Sequence, residues 1–168
     1  MASLKDELVK WLRDENYDVQ EAPVPAGAPI EWALNVIVRM PTGLSINVVV
    51  NKPKSRIEKV VLSMPIKVSD QHKAMISSLD ERERLRAVAH LQNQLFAMCP
   101  TCITVFQPQP DNPTVPDVIA VSRVLYEDDI RPSQVGDSVR LLVNVFFYVV
   151  NFLNNELPAP RPAPTMHM

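Results

Sequence analysis

Three glycines in 168 residues, Gly27, Gly43 and Gly136, are too few and too far apart for one large class of chemistry. A phosphate-cradling turn needs closely spaced glycines so that backbone N–H groups can approach the ligand. Neither a Walker loop nor a GxGxxG dinucleotide turn can be assembled from these three. Histidine is equally scarce: His72, His90 and His167 are scattered, with no HExxH-type spacing between them. An isolated histidine without an orienting partner reads as a surface or packing residue. Charge of one sign is also missing. Lys and Arg number 17 against 19 Asp and Glu, a formal net charge of -2. That balance gives no global attraction to nucleic acid or to an anionic membrane.

Cysteine is short too, and two residues do not make a secreted disulfide scaffold. They stand together as Cys99-Pro100-Thr101-Cys102. A redox CxxC ordinarily follows a strand and opens a helix, whose positive end lowers the thiol pKa. Here the order is reversed, with Cys99 ending a helix and Cys102 starting a strand. Structural zinc takes four ligands, and neither a second CxxC nor a nearby histidine pair supplies the rest. The simplest reading is two semi-buried cysteines at a tight connection. A small disulfide, or a Cys₄ site shared between two protomers, stays open. No cofactor, metal or catalytic group is assigned on this reading, so the chain is expected not to be an enzyme. Thiol-redox or metal chemistry at Cys99 and Cys102 is the alternative.

Two charge clusters remain. Lys52, Lys54, Arg56 and Lys59 surround a turn, but Glu58 dilutes them and no aromatic residue is interleaved for base stacking. Nucleic-acid binding is not expected. Glu127, Asp128 and Asp129 precede the last helix, where negative charge favours a helix start. The opening, Met1 to Glu7, goes directly into charged, helix-type sequence without the apolar core of a secretory signal, so a cytoplasmic protein is expected. Leu141–Leu153 is the one long apolar run, thirteen residues closed by Arg140 and by Asn154-Asn155-Glu156. A span needs roughly 20, so this run reads as a buried helix.

What is present is a pattern of alternating and helical periods. Ser3 caps a helix over 3–16 with Leu4, Leu8, Trp11 and Leu12 on one side. Three prolines within 22–29 make a loop. Strict alternation predicts strands at 31–40, 44–51 and 56–64, joined by short turns into an antiparallel meander. Helical sequence runs from Ser69 to about Met98, with a restart near Ser78 and a stripe of Leu85, Val88, Ala89, Leu95 and Phe96 expected to be buried. Strands at 103–106 and 118–126 follow, then a helix from about Arg131 to Leu157. Residues 1–157 form one domain, and 158–168 alternate proline with other residues, which reads as an extended, disordered tail.

The order helix, three strands, helix or helix pair, two strands, helix is α+β, with helices on one face of an antiparallel sheet. It resembles the type III secretion chaperone-like fold. More narrowly, the chain is similar to a family of uncharacterised archaeal proteins grouped with that fold. The resemblance rests on Ile66–Lys73 entering a helix, Leu79–Glu83 restarting it, and Leu125–Asp129 leaving the last strand. These motifs span residues 3 to 157 and are structural, so the likeness informs the fold far more than the activity.

The last helix carries the functional expectation. Val139, Leu142, Val143, Phe146, Val149, Val150 and Leu153 make one broad apolar face, while Leu141, Val145, Phe147, Tyr148 and Phe152 spread apolar character round much of the rest. Such a helix must be covered on more than one side. The sheet takes one side; the first helix, a second copy of the chain or a protein partner takes the other. Phe146, Phe147, Val150 and Leu153 are the residues expected to meet that partner. A protein-binding or assembly role follows, with a protein partner or homodimer expected and no small-molecule substrate.

Overall fold

The computed structural model describes residues 2–157. The tail expected at 158–168 lies outside the described residues. The chain opens with α1 (Leu4–Asp14), where Ser3 and Asp6 cap each other reciprocally: each accepts the other's backbone N–H. A hydrogen bond from the Ser3 hydroxyl to Asp6, at 2.7 Å, and then the one from the Ser3 N–H hold the Asp6 carboxyl below the usual carboxylate range. Asn16, at φ 64, turns the chain out of the helix. It enters β1 (Asp18–Ala22).

β1 corrects the sequence reading, which left residues 17–21 unassigned and counted three strands before the helices. Four are present: β1, β2 (Ile30–Arg39), β3 (Ser45–Pro53) and β4 (Lys59–Lys67). β1 escaped detection because only Val19 of its five residues is buried, so it shows no alternation. Then come α2 (Asp70–Ser78), α3 (Glu81–Met98), β5 (Cys102–Pro108), β6 (Pro116–Tyr126) and α4 (Pro132–Asn151). The expected break between the two middle helices is there, but the cap of α3 is Asp80, which accepts from the N–H of Glu83, and not Ser78. A 3-10 turn over Glu127–Asp129 precedes α4, and a π turn over Phe152–Glu156 ends it.

Among the described residues the architecture is α+β: a six-stranded antiparallel sheet in the order β1-β2-β3-β4-β6-β5, with four α-helices. One alternation of side chains makes the core. Leu34 faces Val50, Val36 faces Val48, Val50 faces Leu62 and Met64 faces Val121. All are buried. α4 lies over β3, β4 and β6, with α1 on one flank and α3 on the other. Leu8 and Leu12 of α1 and Leu91 and Leu95 of α3 join the same core as Val139, Leu142 and Val149 of α4. Each such side chain removed from water contributes about 1.5–3 kcal/mol. The surplus apolar surface of α4 is therefore covered largely by neighbouring helices.

By length and composition Pro132–Glu156 is long and apolar enough to cross a membrane, and half of its most apolar window is buried inside the protein. Counting the flanking turns makes this helix longer than the thirteen-residue run suggested.

Candidate functional site

The stripe expected on α3 is split: Leu95 is buried and Val88 half-buried, while Leu85, Ala89 and Phe96 face away from the core. Leu91 and Leu95 are buried, whereas Leu85 is 54% exposed, Phe96 is 65% exposed and Ala89 is exposed. The helix carries two apolar lines, and the sheet takes the one through Leu91 and Leu95. Leu85, Ala89, Gln92 and Phe96, spaced four, three and four residues apart, form the outward line.

That line runs beside β5, which is an edge of the sheet. Ile103 (56% exposed) and Val105 (48% exposed) project from β5 on the sheet face opposite the helices. Thr104 and Phe106 point to the helix side, where Phe106 faces Ile119 of β6. Between helix and strand lie two depressions. One is lined by Gln92, Asn93, Phe96, Cys102 and Thr104. The other, a cavity of about 160 Å³, is formed by Leu85, Val88 and Phe106 with Pro108, Pro113 and Pro116. Four of the most exposed large apolar side chains thus share one edge of the molecule.

Beyond Leu85 and Ala89, which lie beside Glu81, Arg82 and Arg86, the edge is also free of charge. Residues 91–110, LQNQLFAMCPTCITVFQPQP, contain no Asp, Glu, Lys or Arg in a chain that is 21% charged. This run was readable in the sequence and is the signal that marks the surface. The opposite edge is built differently. β1 carries Asp18 and Glu21, paired with Arg39 at 3.0 Å and Lys5 at 2.6 Å. Charges on an edge strand discourage further strand pairing, and β5 has none.

Cys99 and Cys102 are joined as a disulfide at the centre of this surface. Of the readings left open by the sequence, the geometry takes the small disulfide. Cys99 is buried and caps the C-terminus of α3; Cys102 is half-buried at the start of β5. The bridge fixes the angle at which the helix hands over to the edge strand.

The remaining sequence candidates are dispersed. Phe146 and Phe147 meet edge-on, with ring centroids 5.7 Å apart. Phe147 is exposed, and Phe146 and Val150 are half-buried. Leu153, at 4% exposure, is part of the core and presents nothing to a partner. Lys52 is held by Glu31 at 3.2 Å and Glu58 at 3.3 Å, so the turn's basic character is partly neutralised within the fold. Burial works against its ammonium, yet the hydrogen bonds it donates to both glutamates raise its pKa.

His72 bonds Ser69 through Nδ1 at 2.8 Å and Asn154 through Nε2 at 3.0 Å. The Ser69 hydroxyl is already the cap of α2, accepting the His72 N–H. The trio therefore ties the start of α2 to the π turn. His90 lies 3.7 Å from Glu156 and beside the Phe152 ring. Glu127, Asp128 and Asp129 form the 3-10 turn, and Arg131 donates to the Asp128 carbonyl at 2.9 Å. Among the described residues no group of three or more His, Cys, Asp or Glu is placed to hold a metal ion.

A family model described as an uncharacterized conserved protein (DUF2299) matches residues 4–153. No curated protein matches the chain. Among solved structures, the crystal structure of an uncharacterized protein from Methanothermobacter thermautotrophicus is similar over 93% of this chain and 100% of that one. The TM-score is 0.75 and the sequence identity 15%, a likeness of fold.

Proposed function

The chain belongs to the DUF2299 family of uncharacterized conserved proteins, and we propose that it is a non-catalytic protein-binding module, chaperone- or adaptor-like. The observation that carries this reading is the edge formed by the end of α3 and β5, uncharged over residues 91–110, with Phe96, Ile103 and Val105 exposed along it. Exposed apolar side chains gathered on one side of a protein favour contact with another polypeptide. An unpaired strand edge adds directional hydrogen bonds to that contact, because an extended segment can join the sheet. The resemblance to the type III secretion chaperone-like fold supports the same reading, as does the placement of Phe147 on the outer side of α4. The binding surface named here lies on α3 and β5 and replaces α4 as the main contact.

The test is suppression of aggregation of a thermally unfolding probe protein by the full chain. Wild type is expected to suppress it at near-stoichiometric ratio, and the variant carrying both Phe96→Ser and Ile103→Ser to lose most of that effect. Equal suppression by the two proteins contradicts the reading.

One observation favours a second reading, thiol–disulfide exchange: Cys99 and Cys102 are bridged, and Cys102 lines an open depression. Helix polarity opposes it, since the bridge sits at the negative end of α3, where a thiolate is disfavoured. A dithiol reductant at neutral pH separates the two. Slow, incomplete opening of the bridge fits a structural tether, and opening at the rate of a free model disulfide fits exchange chemistry.

A further inference from the structure

We infer that residues 158–164 of this chain, Pro-Ala-Pro-Arg-Pro-Ala-Pro, dock as an extended polyproline segment in the apolar groove between α3 and the loop joining β5 to β6. Residues 158–164 lie outside the described residues. The lining of the groove, the path of Leu157 beside it and the composition of 158–164 point to this occupant.

Rings line the groove. Leu85 and Val88 border it from α3 and Phe106 from β5, while Pro108, Pro113 and Pro116 close the other side. Among the described residues Thr114 is its one polar contributor, and the Thr114 hydroxyl already donates to Asn112 at 2.8 Å. Leu85 and Pro113 are exposed. Grooves of apolar and aromatic rings suit polyproline segments, whose preformed backbone loses little entropy on docking. The volume, about 160 Å³, is also suitable. An apolar cavity of about 150 Å³ holds a six-membered ring, so one pyrrolidine and a neighbouring alanine methyl can enter.

The described chain ends at the inner end of this groove. Leu157 borders a small apolar space together with Val88, Phe106 and Pro116, three residues that also line the groove. Its backbone, at φ -66 and ψ 135, has left the π turn for the polyproline II region. Pro158 favours that exit, because a residue before proline is steered away from the helical region. A segment tethered at Leu157 binds as an intramolecular event, at an effective concentration on the order of millimolar, so a shallow groove can hold it.

The sequence of 158–164 matches the two sides of the groove. A polyproline helix has three residues per turn, which sets Ala159 with Pro162 on one line and Pro160 with Ala163 on the next. Both lines are apolar. Arg161 falls on the third and can stay at the rim while the other two are covered. Leu85 also borders the adjoining surface that carries Glu81, Arg82 and Arg86. Glu81 is seven residues along α3 from Val88, about 10 Å. Arg161 is four residues from Leu157, about 12 Å in a polyproline helix. Its guanidinium thus comes within reach of the Glu81 carboxylate. Arg82 and Arg86 supply N–H donors for the carbonyls that a polyproline backbone leaves unpaired.

The test is NMR relaxation of the Ala159, Arg161 and Ala163 amides in the full chain, at low and high protein concentration. Wild type is expected to give order parameters above about 0.6 at all three, equal at both concentrations. Leu85→Lys, at an exposed position, is expected to bring them below that value. Pro160→Ser combined with Pro162→Ser, outside the described fold, should do the same. This double variant should also shift the methyl resonances of Leu85 and Val88 and leave those of Ile103 and Val105 in place. Wild-type order parameters below about 0.6 overturn the inference. So do groove methyls indifferent to the double variant, and so does order that rises with concentration, which puts the segment on another molecule. Phe96, Ile103 and Val105 take no part in the groove, so the aggregation assay succeeds or fails independently of this result.

Discussion

Arg140 Nη1 lies 2.6 Å from Glu15 Oε2, joining the middle of α4 to the C-cap of α1 across 125 residues of sequence. Arg140 Nη2 also reaches Asp137 at 2.7 Å. The hydrogen bonds Arg140 donates to Asp137 and Glu15 together raise the guanidinium pKa. Both Arg140 and Glu15 remain substantially exposed, so solvent screens the pair. Glu15→Gln is expected to cost less than about 1 kcal/mol, with the loss shrinking in high salt. Thermal unfolding at low and high ionic strength measures it.

Gly136 sits beneath that pair. A Cβ there would come within 3.3 Å of Glu15 Oε1 and 3.4 Å of Arg140 Nη2, both ends of flexible side chains. A glycine inside a helix is about 0.8–1.0 kcal/mol less favourable than alanine. Gly136→Ala should therefore raise the melting temperature, since the two side chains can shift aside. A fall would mean that the α1–α4 approach is too tight to give.

The Lys73–Asp117 pair joins α2 to the start of β6 and responds to acid. A hydrogen bond from Lys73 holds the Asp117 carboxyl below its ordinary range. A carboxylate with a lowered folded pKa contributes stability that is present above its unfolded pKa and lost as pH falls through the folded one. Wild type should thus lose stability on acidification below about pH 4. Asp117→Asn should be less stable at pH 7 and lose less on the same acidification. Denaturant midpoints at pH 7 and pH 3 give the comparison, and parallel losses in the two proteins would remove Asp117 from the acid response.

The Cys99–Cys102 bridge closes a very short loop, so its entropic contribution is small, about 2 kcal/mol by loop-closure arithmetic. Replacing both cysteines with alanine is expected to lower the melting temperature by about 4–8 °C. The effect should concentrate where α3 passes into β5, read as faster amide exchange at residues 96–105. Loss of the whole fold would indicate a larger role than a tether.

The strands β2, β3 and β4 were legible because one of their faces packs and the other does not, and Leu34, Val48 and Leu62 record that alternation. Alternation failed to mark β1, where the buried Val19 stands alone. α3 was legible as a helix but only in part in its rotation, since Leu95 is buried as expected whereas Leu85, Ala89 and Phe96 are exposed. Its two apolar lines differ little in composition, and only the tertiary packing of Leu91 and Leu95 decides which goes inside. For the same reason the sequence placed the contact surface on α4, whose greasy circumference is largely absorbed by α1, α3 and the sheet. The uncharged run at 91–110 was visible, yet its meaning depended on β5 being an edge strand. Edge position is set by long-range pairing, which local periodicity does not encode.

Amide hydrogen exchange along the full chain offers the most direct measurement. It would be followed at low concentration, at high concentration, and with a reduced, carboxymethylated probe polypeptide. Polypeptide contact through the α3–β5 edge requires slower exchange within residues 92–107 under at least one of the latter conditions, with β1 unchanged. Exchange there that is the same in all three conditions would contradict the account.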